Sequence, residues 1–261
     1  THDGNYIETV LMHYRYGNTI CVSSQIGCAF RCTFCASALN GLIRNLTAGE
    51  ILSQVYVVSQ DINSRIGNVV LMGSGEPLDN YDNVLAFIRL IQQDYTLKLS
   101  KRAITLSTCG LPDQIIELAD SGAGVRLSLS LHNPFDDERA ALMPAAGAWP
   151  LAEVFAACKY YAQQTKHRIT VEYALIKGEN DTFRHARGLA ERLKEIDCLI
   201  NLIPINDAVG HYTKSGEAQI EAFREMLEKQ HLKVTVRRTL GSSINAACGQ
   251  LTAGIYEGRD Q

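Results

Sequence analysis

Long apolar runs are missing from this sequence, and no window approaches the roughly 20 consecutive apolar residues of a transmembrane helix. A strong charge of either sign is missing too. The net charge is -3 over 261 residues, so bulk electrostatics predict neither nucleic-acid nor membrane binding. The visible N-terminus has no secretory signal pattern. The eight cysteines are therefore expected to be thiols in the cytoplasm, available to a metal or to catalysis, rather than disulfides of a secreted protein.

Low-complexity segments and linkers rich in Pro, Gly or Ser are also absent, which predicts a single domain over residues 1–261. Along that domain six short apolar strands are each followed by a helical segment, and a last strand follows the sixth helix. The serial strand-helix units predict a parallel α/β barrel or open sheet with right-handed crossovers. The predicted strands lie at residues 19–22, 68–72, 103–106, 125–131, 169–176, 199–203 and 234–237, with a further strand at 7–14 before them.

The stretch from Cys21 to Cys35 contains four of the eight cysteines. Cys28, Cys32 and Cys35 form a C-x3-C-x2-C cluster, and Cys21 lies seven residues upstream of it. Three thiols on one short loop are poorly placed to form disulfides with one another and well placed to bind a common metal centre. Three ligands leave one coordination position open, which indicates a catalytic site rather than a closed structural one.

Zinc is the alternative occupant of this loop. A structural zinc site needs a fourth ligand, and neither His nor Cys follows Cys35 within the usual few residues. Cys21 could serve as that ligand only if the chain folded back. The spacing therefore favours an iron-sulfur cluster over zinc.

Polar residues follow several of the predicted strands, at the end of the sheet where parallel α/β folds carry their chemistry. Gly73-Ser74-Gly75-Glu76-Pro77 is not a dinucleotide fingerprint, because the third glycine would fall at Leu78. Its glycines instead let a ligand approach the backbone, and Glu76 offers a carboxylate to a cationic group. Further strand ends predict a polar organic cofactor across the mouth of the barrel. Their residues are Ser107, Thr108, Cys109, Ser130, Leu131, His132 and Asn206.

Several other residues are predicted to have a structural role only. Cys158 lies on the apolar face of a predicted helix and Cys198 begins a strand, so both are predicted to be small buried hydrophobic residues. Thr47 and Glu50 form a capping box at the start of a helix. Cys109 stays open between packing and function.

The C-x3-C-x2-C loop resembles the signature of radical S-adenosylmethionine (SAM) enzymes. Further matches are CVSSQIGC, RNLTAGEI, GSGEP, LST, SLH, NLIP and AACGQL, which occur in this order between Cys21 and Leu251. Together they resemble the family of radical SAM adenine-C2 methyltransferases that act on ribosomal and transfer RNA. The resemblance begins near Glu8 and implies a partial (βα)6 parallel barrel with short N- and C-terminal extensions.

The resemblance also implies a role for each site residue. Cys28, Cys32 and Cys35 would bind a [4Fe-4S] cluster. Cys248 would be the cysteine that becomes methylated, Cys21 the thiol that resolves the intermediate, and Glu8 the proton acceptor. The residues implied to contact SAM are Gly75, Glu76, Ser107, Ser130, Leu131, His132 and Asn206.

The family scheme explains why two cysteines are needed beyond the cluster ligands. An adenine ring carbon is not nucleophilic, so it cannot attack the methyl sulfonium directly. In the scheme Cys248 takes a methyl group from one SAM, and a 5'-deoxyadenosyl radical from a second SAM activates that methyl group. After the carbon adds to the base, Cys21 attacks the sulfur of Cys248. This releases the methylated RNA and leaves a disulfide that must be reduced.

The implied reaction is methylation of carbon 2 of an adenine in 23S ribosomal RNA, with transfer RNA as a second substrate. The implied partners are these RNAs and an electron donor such as flavodoxin, and the enzyme is expected to be monomeric with no membrane partner. Two alternatives stay open. One is the related family that methylates carbon 8 of the same adenine and confers antibiotic resistance, and the other is a non-catalytic zinc-dependent RNA-binding module.

The sequence departs from the family at two points. The sequence begins at Thr1 without the helical N-terminal accessory domain of the family, so we expect a catalytic domain or fragment with weak RNA affinity of its own. Ser243-Ile244-Asn245 stands where acidic residues are expected on either side of the isoleucine.

Overall fold

A computed structural model describes residues 1–205 and 212–237 of the chain. The strands are β1 Val10–Tyr14, β2 Gly17–Val22, β3 Gln25–Gly27, β4 Leu42–Asn45, β5 Ile66–Leu71, β6 Ile104–Thr108, β7 Arg126–Ser130, β8 Ile169–Leu175, β9 Cys198–Pro204 and β10 Lys233–Val236. The helices are α1 Ala48–Asp61, α2 Tyr81–Ile91, α3 Pro112–Asp120, α4 Asp136–Leu142, α5 Leu151–Thr165, α6 Phe183–Leu193 and α7 Glu217–Lys229.

The main sheet has eight strands in the order β1-β2-β5-β6-β7-β8-β9-β10. Every neighbouring pair from β2 to β10 is parallel, and β1 alone runs antiparallel, against β2. Within the described residues β1 does not pair with β10, so these eight strands form a curved sheet and not a closed barrel. The predicted partial barrel with six strand-helix units is confirmed.

The hydrophobic core lies between the outer face of this sheet and the helices. On β8 the side chains of Ile169, Val171 and Tyr173 are buried in that core, as period-two alternation requires. The alternate position on β8 is Glu172, which therefore lies on the inner, concave face together with Asn201 of β9. Apolar residues thus fix the sheet to its helices, and polar residues line the inside.

Helix α1 begins at the predicted capping box. The Thr47 hydroxyl accepts a hydrogen bond from the Glu50 backbone N–H, and the Glu50 carboxylate accepts one from the Thr47 backbone N–H. Arg44 forms an ion pair with the same carboxylate at 2.8 Å and lowers the pKa of Glu50 to about 2. Glu50 is a helix cap, as predicted, and it also ties strand β4 to the start of α1.

Three elements of the structure were not predicted from the sequence, namely β3, β4 and α4. Strands β3 and β4 form a separate two-stranded antiparallel sheet on either side of the cysteine loop. Helix α4 lies between β7 and α5 and has only seven residues. The first strand also begins at Val10, three residues later than predicted.

No helix in the described part of the chain is long and apolar enough to cross a membrane.

Candidate active site

The cysteine loop begins where β3 ends and lies over the carboxyl end of the sheet. At its start the Cys28 backbone N–H donates to the carbonyl of Gly41, 3.0 Å away. Gly27 has a φ of +74°, and a Cβ there would lie 1.9 Å from the oxygen of Gly41. The close approach of the two β3–β4 backbones therefore requires glycine at this position.

The three thiols of the loop are half-buried. Burial raises the pKa of the Cys28 thiol to about 12 and that of Cys35 to about 11. A thiol in such surroundings becomes a thiolate readily only when a cation replaces its proton. A cavity of about 420 Å³ opens in front of Cys32 and Cys35, and Arg31, Thr33 and Asn40 also line it.

These residues fit an iron-sulfur cluster. The donors are soft thiols from one loop, and the adjoining cavity is within the usual size of ligand sites, about 300–1,000 Å³. Among residues 1–205 and 212–237, no three His, Cys, Asp or Glu side chains lie close enough to share a single metal ion.

Glu76 is buried beneath the loop that follows β5. Its carboxylate accepts hydrogen bonds from the backbone N–H groups of Cys109 at 2.7 Å and Leu78 at 3.0 Å. Burial raises the pKa of Glu76, and the two N–H donors counteract this because they favour the ionised form. The carboxylate therefore joins the ends of β5 and β6, and a cationic ligand group would share it with these donors.

Gln25 holds the same loop from the other side. Its side-chain oxygen accepts from the Glu76 backbone N–H at 2.9 Å, and its amide nitrogen donates to Asn45 and Asp79 at 2.8 and 2.7 Å. Gly75 lies directly against it with a φ of +101°, and a Cβ at Gly75 would lie 2.5 Å from the Cβ of Gln25. Gly75 is therefore required both by its backbone conformation and by the buried glutamine.

We expect Gly75→Ala to lower the free energy of unfolding by about 2–5 kcal/mol, since it adds a left-handed alanine and an overpacked methyl group. Urea unfolding followed by circular dichroism measures the change. Gly49→Ala is the matched control, because a Cβ at Gly49 in the first turn of α1 meets nothing closer than 3.9 Å. Equal stability of Gly75→Ala and the parent chain would contradict the assignment.

The hydroxyls of Ser107 and Ser130 lie 3.2 Å apart at the ends of β6 and β7. Both are half-exposed on the inner face, so they are accessible to a ligand at the mouth of the sheet. Thr108 differs from the expectation, because its side chain is buried and its hydroxyl accepts from the Gly110 backbone N–H at 3.0 Å. The same side chain also forms a hydrogen bond with the carboxylate of Glu76.

His132 follows β7 in a conformation that non-glycine residues rarely adopt. Its φ is +58°, and the Asn133 backbone N–H donates across it to the carbonyl of Leu131 at 2.8 Å, which makes a three-residue turn. Strain of this kind is concentrated at functional sites. The ring packs edge-on against Phe34 of the cysteine loop, with centroids 5.0 Å apart.

The protonation state of His132 follows from its contacts. The Ala174 backbone N–H donates to Nδ1 at 2.9 Å, so Nδ1 is an acceptor. Burial lowers the pKa of His132 to about 3, and the nearby Arg139 adds to this effect. The neutral ring therefore carries its proton on Nε2 at physiological pH, and it offers one hydrogen-bond donor near Phe34.

Asn180 holds this turn in place from a fully buried position. Its amide nitrogen donates to the carbonyls of His132 and Ala174, both at 2.6 Å, and its oxygen accepts from the Ile176 backbone N–H at 2.8 Å. One side chain thus joins the ends of β7 and β8 and stabilises the strained conformation of His132.

We expect Asn180→Ala to lower the free energy of unfolding by about 2–4 kcal/mol, because it leaves two buried carbonyls without their donor. Chemical denaturation measures the loss. Asn83→Ala is the control, since Asn83 donates a single hydrogen bond to Asn80 from a half-buried position. A loss no larger than that of the control would contradict the role of Asn180.

Cys21 lies near the carboxyl end of β2, paired in register with Val70 of β5. Its neighbours Ile20 and Val22 belong to the outer core, so the buried Cys21 side chain faces the inner side of the sheet. This places the predicted resolving thiol on the inner face, close to where the cysteine loop begins.

Glu8 lies beside the same strand end. The Ser23 hydroxyl donates to the Glu8 carbonyl at 2.9 Å and accepts from the Ser74 backbone N–H at 2.9 Å. Oε2 of Glu8 is buried with no hydrogen-bond partner among the described residues, and burial raises the pKa of the carboxyl. A carboxylate in such surroundings is suited to accept a proton. The other two predicted site residues, Cys248 and Asn206, lie outside the described residues.

The remaining cysteines divide as expected. Cys158 and Cys198 are buried in the core, as predicted. Cys109, which the sequence left open, is half-buried at the end of β6. A hydrogen bond with the side chain of Cys32 raises the pKa of Cys109, and burial adds to the increase. A fourth thiol therefore lies beside the three of the cysteine loop.

Comparisons with known proteins agree with this geometry. The sequence profile of the radical SAM superfamily matches residues 22–190. A probable dual-specificity RNA methyltransferase RlmN of Clostridium beijerinckii is 52% identical over 250 residues, which are 95% of this chain and 71% of that protein. The protein of the same name from Clostridium perfringens strain 13 is also 52% identical, over 95% of this chain and 72% of its own length. The crystal structure of a radical SAM methyltransferase from Sphaerobacter thermophilus superposes with a TM-score of 0.93 at 40% identity, covering 96% of this chain and 74% of that one.

Proposed function

The chain belongs to the radical SAM superfamily and, within it, to the RNA methyltransferases named RlmN, and from this membership we propose that it methylates carbon 2 of an adenine in RNA. The observation that carries the proposal is 52% identity over 95% of the chain. The likeness favours carbon 2 over carbon 8, and it favours an enzyme over a zinc-binding module. We propose 23S ribosomal RNA and transfer RNA as the substrates.

Enzymes of this superfamily use a [4Fe-4S] cluster and SAM. When bound, the cluster supplies the electron that cleaves SAM reductively to a carbon radical. We propose Cys28, Cys32 and Cys35 as its ligands, since all three belong to one loop and Cys32 and Cys35 line the adjoining cavity. Phe34, the residue before Cys35, would orient the His132 ring through its edge-on contact.

Four features of the strand ends support a SAM site. The backbone of Gly75 has a φ of +101° beside Glu76, the Ser107 and Ser130 hydroxyls are accessible, and His132 has a donor at Nε2. Glu76 fixes the ends of β5 and β6 beneath the site. We propose that these residues and Leu131 contact SAM, together with Asn206.

We propose that Cys248 accepts the methyl group and that Cys21 releases the product. The Cys21 thiolate would attack the sulfur of Cys248, which breaks the bond between that sulfur and the methylene carbon on the base and forms a disulfide. The methylene carbon takes the two electrons of the broken bond together with one proton from the solvent and becomes the methyl group of the product. Glu8 would accept the proton that the ring carbon loses, and its Oε2, which has no hydrogen-bond partner among the described residues, is suited to receive it.

The test is a nucleoside digest of treated RNA. The protein is reconstituted with iron and sulfide under anaerobic conditions and incubated with SAM, a reductant and either 23S ribosomal RNA or transfer RNA. Mass spectrometry with chromatographic standards should detect 2-methyladenosine. A product of 8-methyladenosine would replace the proposed reaction by its alternative, and unmodified RNA from cluster-loaded protein would overturn it. Omission of the reductant is the control.

The proposed partners follow from the chemistry. A low-potential cluster requires a low-potential electron donor, for which a flavodoxin is suitable. We propose that the protein acts on RNA in the cytoplasm, as a monomer with residues 1–261 forming one catalytic domain. The chain spans about seven-tenths of the relatives' length, 71% of the Clostridium beijerinckii protein.

A further inference from the structure

A short wall of the fold lies directly behind the cysteine loop. It consists of α4 and the turn of 3-10 helix that follows at Pro144–Ala148. The Thr33 backbone N–H donates to the carbonyl of Leu142 at 3.0 Å, and the Ala145 backbone N–H donates to the carbonyl of Phe30 at 3.4 Å. These two hydrogen bonds on either side of Cys32 bring the wall into contact with the loop.

Arg139 of α4 lies inside this wall and is 1% exposed. Its guanidinium donates to the carbonyls of Leu131 and Ala146, both at 3.2 Å, and to the carbonyl of Cys109. All three acceptors are neutral backbone groups. None of the ion pairs formed in the described part of the chain includes Arg139. Two acidic residues of its own helix have other partners: Asp136 forms an ion pair with Arg192, and Glu138 pairs with Arg184 and His185.

The charge of Arg139 is permanent, because a guanidinium in a protein stays protonated. A buried charge is costly unless it is compensated, and hydrogen bonds to carbonyls compensate it only in part. The charge also lies near the thiols. Arg139 bonds the carbonyl of Cys109, and the Cys109 side chain contacts Cys32. Inside the protein the dielectric is low, so a charge at this position acts on its neighbours more strongly than a surface charge does.

We propose that Arg139 raises the reduction potential of the cluster held by Cys28, Cys32 and Cys35. This inference rests on the proposed function. On reduction the cluster takes one electron from the external donor and its net charge becomes more negative by one. The buried positive charge of Arg139 stabilises that form over the oxidised one, and net charge is among the factors that set cluster potentials. Arg139 would thus act on the cluster electrostatically, from its position on three backbone carbonyls of the wall and the strand ends.

A purely structural role would act through the three hydrogen bonds alone. Arg139→Lys keeps the charge but loses the planar set of five N–H donors of the guanidinium. Arg139→Gln keeps two N–H donors but loses the charge. The two variants therefore separate charge from hydrogen bonding. Arg187→Gln is the matched control, because it removes the same charge from an exposed position on α6.

The experiment measures the midpoint potential of the reconstituted cluster in the absence of SAM, by redox titration followed by electron paramagnetic resonance. Iron and sulfide content is determined first for each protein. We expect a more negative potential for Arg139→Gln, a potential for Arg139→Lys that stays nearer to the parent than to the glutamine variant, and no shift for Arg187→Gln. An unshifted Arg139→Gln, or a lysine variant shifted as far as the glutamine variant, would overturn the proposal.

A second pair of variants tests the same idea if Arg139→Gln does not fold. Ala145 is half-buried in the wall and its N–H bonds Phe30 of the loop. Ala145→Glu should then have a more negative midpoint potential than Ala145→Gln, and equal potentials would contradict the proposed electrostatic effect. A parent chain that binds no iron and sulfide would instead refute the proposed function, so the two failures are distinguishable.

Discussion

Replacement of Cys32 by alanine is expected to abolish RNA methylation, with a loss of roughly 10³-fold or more, as for the removal of a residue on which the whole chemistry depends. Cys32 is the middle thiol of the loop, and it lines the cavity together with Cys35. Two remaining thiols cannot hold a cluster that leaves only one iron open. Iron and sulfide content and the visible absorption of anaerobically purified protein should fall together with activity.

The fold should survive this change, because Cys32 is half-buried and lies at the surface of the core. Cys198→Ala is the matched control: the same substitution within the core of β9 should lower stability by about 1 kcal/mol while iron content and activity persist. Full activity of Cys32→Ala, or equal iron loss in both variants, would show that the loop does not bind the cluster.

Replacement of Cys21 by alanine is expected to stop the reaction after one partial turnover, with RNA covalently bound to the protein. Cys21 faces the inner side of β2, and on the proposed scheme its thiolate breaks the link between Cys248 and the base. Without it the adduct has no thiol to release it. A denaturing gel with labelled RNA should show a shifted band that survives reducing agents and disappears after nuclease digestion.

Two further variants are controls for the expected RNA–protein adduct. Cys158→Ala removes a thiol buried in α5 and should turn over without an adduct. The double variant Cys21→Ala, Cys248→Ala should form no adduct, because the attachment point is gone. Multiple turnovers by Cys21→Ala would remove Cys21 from the mechanism.

The sequence predicts those helices and strands that depend on residues close to one another in the chain. The apolar strands and the helices that follow them are confirmed because burial on one face imposes a period that can be read along the chain. The capping box of Thr47 and Glu50 is also confirmed. It can be predicted because the two residues lie within one turn of the helix. Helix α4 was missed because its seven residues bury only Arg139 and Leu142.

The residues that hold the site residues in place are harder to predict from sequence. Gln25 and Asn180 act across 51 and 48 positions of the chain, on Glu76 and His132 respectively. No spacing rule connects such partners. For Gln25 a signal is present, because it belongs to the CVSSQIGC motif, but only the structure shows that its Cβ and Cγ fill the space a side chain at Gly75 would need.

The open edge of the curved sheet determines how a polymer can be a substrate. In the described residues β1 and β10 remain apart, so the concave face is a trough rather than a tube. We therefore expect a long RNA to approach from the side without threading a free end. An enzyme that modifies a base must draw it out of its stack, at a cost of a few kcal/mol. We expect the target nucleotide alone to enter the trough while its neighbours stay outside, so that unpaired or strained loops are modified faster than the same sequence in a duplex.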